Sequence, residues 1–292
     1  MSADAYADVE LPWGMPIRVR RDEFIGRWIR SLGAFEVPVT EAIVRLLDPG
    51  ELAVDVGANI GQMTAAMARR AGPDGAVVAF EPCAAVYAEL LHNVRRWAAD
   101  SEAGRIAAHR LAVSALSGEA RLRAPDDLAV NSGTARLVPD GASPDGVPPD
   151  GARVETVRAV RLDDVFPDPA RVGVLKLDVE GHEREALAGA EGLLRDGRVR
   201  DVVFEEYAPY PAATHRLLEG WGYTLFRLAG TWDDALLLAA DAPEAQPEAE
   251  SAYRMPNYLA TRDPARARAR YGEGGWRTYH FAPATRAPAA PG

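Results

Sequence analysis

Short, continuous runs of apolar residues, each followed by a helix-like segment, constrain the fold of this chain most. Leu52–Val56, Ala76–Phe80 and Gly173–Leu177 are three such runs, and Asp201–Glu205 is a fourth. Runs without polar alternation are typical of parallel strands that are buried on both faces. The segments after the first three repeat apolar residues at helical spacing. The pattern therefore predicts an α/β fold, a mostly parallel sheet with helices on both faces.

The start of the chain does not show this alternation of apolar runs and helix-like segments. Within Met1–Gly50, Phe24, Trp28 and Leu32 recur at helical spacing. This spacing predicts a helical extension or lid over residues 1–50, with Trp28 in the core. Residues 51–262 then form the main domain.

The later part of the chain also lacks this alternation of strands and helices. Tyr223–Leu228 and Tyr258–Thr261 resemble strands without a crossover helix between them, so they predict an antiparallel hairpin at a sheet edge. Pro125–Gly151 is rich in Pro, Asp and Gly and is predicted to be a long surface loop. Residues 263–292 show no periodicity and are predicted to be a poorly ordered tail.

Charge and composition exclude several classes of protein. The chain has 292 residues and a net charge of −10, which opposes binding to phosphate backbones, so no nucleic-acid partner is expected. We interpret the arginines of Arg262–Arg270 as part of a solvated tail. Cys83 is the single cysteine, so no internal disulfide forms. Neither a membrane-spanning run nor a signal peptide is recognisable, and a soluble cytoplasmic protein is expected.

A glycine-containing turn and an acidic residue follow the first two strands. Asp55–Gly61 reads Asp-Val-Gly-Ala-Asn-Ile-Gly, and Glu81 follows Asp55 by 26 residues, at the end of the next strand. An acidic residue near this interval binds ribose hydroxyls in nucleotide-binding folds. Asn59 stands where a dinucleotide fingerprint has its second glycine. The turn therefore favours a ribose-bearing cofactor without phosphates, such as S-adenosylmethionine, over NAD(P).

A third polar signature ends the strand Gly173–Leu177. Lys176 lies inside this apolar run, and Asp178 and Glu180 follow it. Burying ionic groups is costly unless they are paired or functional. A functional site and a structural Lys176–Asp178 pair are both consistent with this pattern.

Together these motifs resemble the FkbM-type methyltransferases. Five segments occur in the order and at the spacing of that family: Asp55–Gly61, Phe80–Pro82, Arg161–Asp164, Lys176–Glu183 and Phe204–Glu205. The similarity runs from about Asp22 to Thr261. It implies a class I, Rossmann-like S-adenosylmethionine fold and methyl transfer to a hydroxyl of a small molecule, such as a sugar or polyketide-type natural product.

The resemblance also implies roles for individual residues. The methionine end of S-adenosylmethionine would be held by the first strand turn, namely by Asp55, Gly57, Asn59 and Gly61. Glu81 would bind the ribose, and Ala112 and Val113 would lie near the adenine. Asp178 would face the methionine amine, in a charge-assisted contact.

A hydroxyl acceptor must lose its proton, and several residues are candidate bases. They are Asp178, Glu180, His182, Glu205 and Glu206. Asp178, Glu180 and Glu205 could alternatively hold Mg²⁺, although nothing in their spacing demands a metal and none is expected. We expect the acceptor pocket to be built by Met1–Gly50, Pro125–Gly151 and the segment around Trp232, with Trp232 and Tyr207 as candidate lining residues. A cofactor-binding protein without catalysis and an NAD(P)-dependent oxidoreductase are the alternatives.

Overall fold

The computed structural model describes residues 5–124, 135–138, 153–242 and 256–281. The strands within these residues are β1 (Tyr6–Glu10), β2 (Pro16–Arg20), β3 (Leu52–Val56), β4 (Ala76–Phe80), β5 (Arg105–His109), β6 (Ala112–Val113), β7 (Gly118–Ala124), β8 (Arg136–Leu137), β9 (Arg153–Val160), β10 (Val172–Leu177), β11 (Val199–Glu205), β12 (Thr224–Gly230), β13 (Ala235–Ala239) and β14 (Asn257–Thr261). The helices are α1 (Phe24–Leu32), α2 (Val37–Leu46), α3 (Gln62–Ala71), α4 (Ala84–Trp97), α5 (Leu162–Val165), α6 (Glu183–Ala188), α7 (Glu191–Arg195), α8 (Ala213–Gly220) and α9 (Pro264–Tyr271), and a 3₁₀ turn spans Arg277–Tyr279.

The central sheet has eight strands in the order β13-β12-β14-β11-β10-β3-β4-β5. The five strands from β11 to β5 are parallel, and β14, β12 and β13 extend the sheet antiparallel. The chain leaves β3 towards β4 on one side and later returns through β10 on the other. Ligands bind at such a reversal, beyond the carboxyl ends of the strands. The predicted α/β class with a mostly parallel sheet is confirmed.

Both faces of the central sheet are covered. Neighbouring residues of β3 show this, because Ala53 packs into the apolar cluster on the α2 and α3 side and Val54 into the cluster on the α6 and α7 side. The same alternation holds in β10, where Val174 and Leu175 lie in opposite clusters. A strand buried on both faces needs no polar alternation, which explains its uninterrupted apolar sequence.

The antiparallel edge differs in detail from the prediction. The two strands predicted as a hairpin, β12 and β14, are antiparallel neighbours, but β14 lies between β11 and β12. The hairpin is formed by β12 and β13, and β13 is the edge strand. β13 was not predicted, although Ala235–Ala239 is a short apolar run of the kind that predicts strands elsewhere in the chain.

A second, four-stranded sheet has the order β6-β9-β7-β8. The chain passes from one sheet to the other within a few residues, since β5 ends at His109 in the central sheet and β6 begins at Ala112 in the second sheet. Most of the predicted loop Pro125–Gly151 lies outside the described residues. Its described part, residues 135–138, contains β8, which pairs with β7.

The N-terminal segment begins with a β-hairpin of β1 and β2, so the prediction of a wholly helical extension is wrong there. Ile17 and Val19 are fully buried while the arginines between and after them are not, which is the period of a strand. In α1, Ile25 and Ile29 are the buried side chains, and Trp28 is 40% exposed, contrary to the predicted core position.

The C-terminal segment also differs from the prediction. Residues 263–292 were predicted to be poorly ordered, but Pro264–Tyr271 forms α9, and residues 282–292 lie outside the described residues. The Asp263 side chain caps α9 by accepting from the Arg266 amide, and Tyr271 is buried. The arginines of this segment are not solvated as interpreted, because Arg266 and Arg270 both donate to the carboxylate of Asp48.

Candidate active site

A cleft opens where the chain reverses between β3 and β10, at the carboxyl ends of the parallel strands. It contains about 1040 Å³ of space not filled by protein atoms, part of it open to solvent. We call it the cofactor cleft. Eight of the residues singled out from the sequence line it: Gly57, Asn59, Glu81, Ala112, Val113, Asp178, Glu180 and His182. Three others, Asp55, Gly61 and Glu205, are buried behind its surface.

The turn after β3 requires glycine at two positions. Gly57 has a φ of +76°, and a Cβ there would lie 1.7 Å from the carbonyl oxygen of Asp178. Gly61 has a φ of +96°, and its Cβ would lie 2.7 Å from the Leu90 side chain. A side chain at either position would force backbone or core apart. The turn is thus pressed against the end of β10 and against α4.

Asn59 lies between these glycines and also has a left-handed backbone, with a φ of 48°. Its side-chain oxygen accepts a hydrogen bond from the Ile60 amide at 2.7 Å. Asparagine adopts this conformation more readily than most residues because its short polar side chain bonds locally. The backbone between Gly57 and Gly61 therefore curls along the cleft wall and ends at the start of α3, which no side chain caps.

Glu81 follows β4 and is 6% exposed. Its two carboxylate oxygens accept from the Asn59 amide at 3.1 Å and from the Cys83 amide at 2.9 Å. Burial raises the pKa of Glu81 to about 7, against the lowering effect of these two amides. Each oxygen accepts one backbone hydrogen bond and keeps a lone pair for a ligand in the cleft.

Asp55 supports the site from below. It is fully buried, its Oδ2 accepts from the Thr64 hydroxyl at 2.6 Å, and its Oδ1 lies 3.5 Å from the Lys176 Nζ. The structure therefore places its carboxylate against protein groups rather than on the cleft surface. The role implied by the resemblance, contact with the methionine end, stays a prediction, and the geometry favours a supporting role.

Lys176 joins the ends of β3 and β10. Its Nζ donates to the Gly57 carbonyl oxygen at 2.7 Å and lies 3.2 Å from Asp178 Oδ2. Burial alone would lower the pKa of Lys176, but the charges of Asp178, Asp55 and Glu36 outweigh it and raise the pKa. The ammonium group therefore stays charged and holds Gly57 close to Asp178. The Lys176–Asp178 pair has this structural role, and both of its residues also line the cofactor cleft.

Acidic side chains surround Asp178. Glu36 and Glu180 line the cofactor cleft with it, and Glu205 lies behind them at the end of β11. Burial, followed by the charge of Asp178, raises the pKa of Glu36 to about 8, that of Glu180 to about 7 and that of Glu205 to about 9. We call these four residues the acid cluster. The sequence analysis missed Glu36, whose one local signal is its position before a helix that has Pro at its start.

Glu205 is the most deeply buried member of the acid cluster. It is 2% exposed, and neither carboxylate oxygen has a hydrogen-bond partner within the described residues. The Tyr207 hydroxyl lies close enough to exert a lowering effect on the pKa of Glu205, but the effects of burial and of neighbouring carboxylates are larger. At neutral pH Glu205 therefore holds its proton, which does not suit the catalytic base that the sequence analysis proposed there.

A second cleft lies beside the first, and we call it the acceptor cleft. The residues that line it include Ser114, Arg123, Arg136 and Glu185. Glu180 and His182 line both clefts. Nε2 of His182 lies 2.9 Å from the Ser114 hydroxyl, and Nδ1 lies 3.7 Å from Glu185 Oε2. Ser114 was not a candidate in the sequence analysis, because nothing in its local sequence points to His182.

Other candidates from the sequence lie elsewhere. Trp232, in the turn between β12 and β13, is 99% exposed, and neither it nor Tyr207 is among the residues that line the two clefts. Glu206 accepts a hydrogen bond from the Ala208 amide and also lines neither cleft. Within the described ranges, no three His, Cys, Asp or Glu side chains are grouped so that they could hold a metal ion. Over the same ranges no helix is both long and apolar enough to span a membrane.

The chain is similar to known methyltransferases. The model of the methyltransferase FkbM domain matches residues 55–225. The chain is 34% identical over 205 residues to 31-O-demethyl-FK506 methyltransferase FkbM of Streptomyces tacrolimicus, which covers 61% of this chain and 75% of that protein. It is 28% identical over 236 residues to the AMB antimetabolite synthetase AmbE of Pseudomonas aeruginosa, covering 72% of this chain and 11% of that protein. A solved structure, methyltransferase FkbM from Methylobacillus flagellatus KT, aligns over 82% of this chain and 61% of its own, with 15% identity and a TM-score of 0.43.

The strand order and the cleft at its reversal are those of a class I methyltransferase fold. The family match assigns S-adenosylmethionine as the cofactor. The chain belongs to the FkbM methyltransferase family. This membership decides against the NAD(P)-dependent oxidoreductase that the glycine turn alone left open.

The residues present fit this cofactor. Glycine at positions 57 and 61 lets the turn beside the cleft pack against the end of β10 and against α4. Glu81 offers carboxylate oxygens to a pair of hydroxyls. Ala112 and Val113 add an apolar wall that suits a flat base. The individual ligand contacts remain predictions, and of the residues concerned Glu81 has the geometry best suited to its role.

Proposed function

We propose that the protein transfers a methyl group to a hydroxyl of a small molecule that binds in the acceptor cleft. The observation that carries this proposal is that Glu180 and His182 line both clefts. A group that is transferred between two ligands must cross the boundary between their sites, and the side chains at this boundary are the ones placed to act on it. The relative from Streptomyces tacrolimicus, whose name describes an O-methyltransferase, supports a hydroxyl as the acceptor.

Glu180 is the proposed general base. Burial and the charges of Asp178 and Glu183 raise its pKa to about 7, near the pH at which a base is most effective. Asp178 is less suited because its carboxylate is paired with Lys176 at 3.2 Å. The left-handed backbone of Glu180, with a φ of 55°, is a strained conformation of the kind that clusters at functional sites.

His182 is the proposed orienting residue for the acceptor. The Ser114 hydroxyl contacts its Nε2, which fixes the position of the ring at the cleft boundary. A fixed ring holds the acceptor hydroxyl in one direction, and alignment supplies much of the rate in a displacement reaction. His182 was proposed as a catalytic residue from the sequence, and the geometry supports its presence in the site.

S-Adenosylmethionine supplies, when bound, an activated methyl group on a positively charged sulfur. The protein's own residues then have three tasks, which are to hold the two ligands in line, to exclude water and to remove the hydroxyl proton. Apolar side chains shared by or next to both clefts, such as Leu137 and Ala112, restrict water. Glu180 accepts the proton at a carboxylate oxygen.

Methyl-labelled S-adenosylmethionine and a panel of hydroxylated natural products, including sugars and macrolides, test this proposal. We expect label in an ether product, and we expect Glu180→Gln to lower kcat by about 10²–10⁴-fold, the usual contribution of a general base. Glu191→Gln, on the surface helix α7, is the matched control and should retain activity. Cofactor binding without transfer to any hydroxyl would favour the alternative of a non-catalytic binding protein.

A further inference from the structure

One wall of the cofactor cleft comes from outside the main domain. Ile25, Phe35 and Glu36 line the cleft, and all three lie in the N-terminal segment, the residues before position 51. The other described lining residues belong to the main domain and begin at Val56. The cleft is therefore formed jointly by the N-terminal segment and the main domain, and a ligand that fills it contacts both.

The side chain of Gln62 joins these two parts at Phe35. Its Oε1 accepts a hydrogen bond from the Phe35 amide at 2.6 Å, and its Nε2 donates to the Phe35 carbonyl oxygen at 2.8 Å. A carboxamide presents an oxygen acceptor and an N–H donor side by side, so it can bond both backbone groups of one residue, as a neighbouring antiparallel strand does. Gln62 is the first residue of α3, is 5% exposed and itself lines the cofactor cleft.

Other hydrogen bonds of the Phe35 and Glu36 backbone stay within the N-terminal segment. The Glu36 carbonyl oxygen accepts from the amides of Val39 and Thr40, and the Thr40 hydroxyl donates to the Phe35 carbonyl oxygen at 3.4 Å. The Glu36 side chain bonds to Asn257 of the main domain. Without the Gln62 carboxamide, the Phe35 backbone would thus have no hydrogen bond to the main domain among the described residues.

A second carboxamide attaches the N-terminal segment in the same way. Asn93 is fully buried on α4, its Oδ1 accepts from the Arg18 amide at 2.8 Å, and its Nδ2 donates to the Arg18 carbonyl oxygen at 3.2 Å. The same Nδ2 donates to the Ile60 carbonyl oxygen at 2.9 Å, in the turn that lines the cleft. Of the two attachments, the one at Gln62 forms part of the cleft wall, because Asn93 is not among the residues that line the cleft.

We infer that Gln62 is a positioning residue that holds Phe35 and Glu36 against the cofactor cleft and thereby slows dissociation of the cofactor. The inference rests on S-adenosylmethionine occupying this cleft, as in the proposed function, and does not depend on the acceptor. The Gln62 side chain holds the wall in place before a ligand arrives. A preformed wall costs no ordering when the ligand binds, whereas a loosened wall must be ordered at each binding event.

The effect is expected mainly in the dissociation rate. Variants of one binding site differ chiefly in how fast the ligand leaves, because the association rate varies less. Removing the Gln62 carboxamide frees the Phe35 backbone from the main domain. Ordering the backbone of one residue again when the ligand binds corresponds to about a tenfold change in affinity.

Stopped-flow measurement of S-adenosylhomocysteine dissociation tests the inference without any acceptor. Gln62→Met keeps the length of the side chain and removes both hydrogen bonds to Phe35, so it should raise the dissociation rate about tenfold. Arg69→Gln is the matched control on the same helix, α3. It removes ion pairs with Asp100 and Glu102 and lines neither cleft, so it should lower stability and leave the dissociation rate unchanged.

Hydrogen exchange at the Phe35 amide gives a second measurement, part of which needs only the wild-type protein. Bound S-adenosylhomocysteine should slow this exchange in the wild type, and Gln62→Met should speed it in the free protein. The inference is overturned by an unchanged dissociation rate in Gln62→Met, by an equal rise in Arg69→Gln, or by exchange at Phe35 that the ligand does not slow. Each of these results leaves the methyltransferase function standing, whereas failure of the wild-type protein to bind S-adenosylhomocysteine overturns the assignment of this cleft to the cofactor.

Discussion

The two ends of the parallel strands differ in how their carboxylates are paired. In α2 and at the amino ends of β3 and β11, the carboxylates of Glu41, Asp48 and Asp201 are each bound by an arginine. At the carboxyl ends of the strands, the acid cluster of Glu36, Asp178, Glu180 and Glu205 lies beside the ammonium of Lys176, which forms an ion pair with Asp178. Three carboxylates lie in the first region and four in the second, so their number alone does not distinguish the two regions.

The difference lies in whether the charges are balanced within the protein. Glu41 accepts from Arg45, from the Arg277 amide and from both the amide and hydroxyl of Thr278. Glu205, buried to a similar degree, has no hydrogen-bond partner on either oxygen within the described residues. A satisfied buried network fixes the fold, whereas an unsatisfied one is costly and persists where a ligand completes it.

The largest effect on stability is expected from a substitution in the region where each carboxylate is paired with an arginine. Arg45→Met removes the guanidinium that bonds Glu41 and the carbonyl oxygens of Arg270, Gly274 and Gly275. Both Arg45 and Glu41 side chains are completely buried, so the charge of Glu41 loses its cationic partner and keeps only the neutral donors of Arg277 and Thr278. We expect a loss of about 3–5 kcal/mol in the free energy of unfolding, measured by urea denaturation.

The double variant Arg45→Met, Glu41→Gln is the control. Glutamine removes the buried charge and still offers an oxygen to the donors of Arg277 and Thr278, so the second substitution should recover part of the loss. S-Adenosylhomocysteine affinity of the folded protein should be unchanged in both variants. A change in affinity with little loss of stability would show that this end of the sheet is not merely structural.

The next largest effect is expected on ligand affinity, from a substitution in the cofactor cleft. Glu81→Ala removes the carboxylate placed to accept the ribose hydroxyls, and a hydrogen bond to a charged group contributes about 1.5–3 kcal/mol. We expect S-adenosylhomocysteine affinity, measured by calorimetry, to fall about 10–100-fold. Unchanged affinity would show that the ribose assignment is wrong, whatever the stability of the variant.

Much of the fold could be predicted from the sequence because parallel strands carry their own signal. β3, β4 and β10 are short apolar runs, and their polar ends identify the edge where ligands bind. The N-terminal hairpin and α9 were missed for a common reason. Their stability comes from distant contacts, such as the Arg18 amide with Asn93 and Arg266 with Asp48, which no local pattern reveals.

The site residues that could be predicted are those that directly follow the end of a strand. Gly57, Asn59, Glu81 and Asp178 were placed in the cleft by this rule, and they line it. Glu36 and Ser114 lie on segments that reach the cleft only through the tertiary fold. Asp55 shows that a position within a motif does not by itself place a residue in the cleft. Its side chain is buried and supports the site without lining it.

The pH dependence of stability should distinguish the two ends further. The pKa of Glu205 is raised to about 9 by burial and then by Asp178, Glu36 and Glu180, so between about pH 4.5 and 9 the native state binds more protons than the unfolded state. Stability contributed by the neutral group is complete below pH 4.5 and is lost as the pH rises through 9. Glu205→Gln should remove this loss, which is at most about 1.4 kcal/mol per pH unit.

Urea denaturation of wild-type protein and Glu205→Gln between pH 4.5 and pH 9 provides the measurement. The variant should be about as stable as the wild type near pH 4.5, because glutamine resembles the neutral carboxyl group, and increasingly more stable than the wild type as the pH rises towards 9. Parallel stability curves for the two proteins would mean that Glu205 is ionised and compensated in the native state, which would make the two ends of the sheet alike.

The smallest effect is expected at Asp48, and its dependence on pH should have the opposite sign. Burial works to raise the pKa of Asp48, but hydrogen bonds and charges from Arg266 and Arg270 outweigh it and lower the pKa. The stability that this carboxylate contributes is therefore present above its unfolded pKa and is lost as the pH falls through the native value. Because the side chain is 32% exposed, Asp48→Asn should cost only about 0.5–1 kcal/mol at pH 7. That difference should shrink towards zero near pH 3 in urea denaturation, whereas a cost independent of pH would show that the carboxylate acts through packing rather than charge.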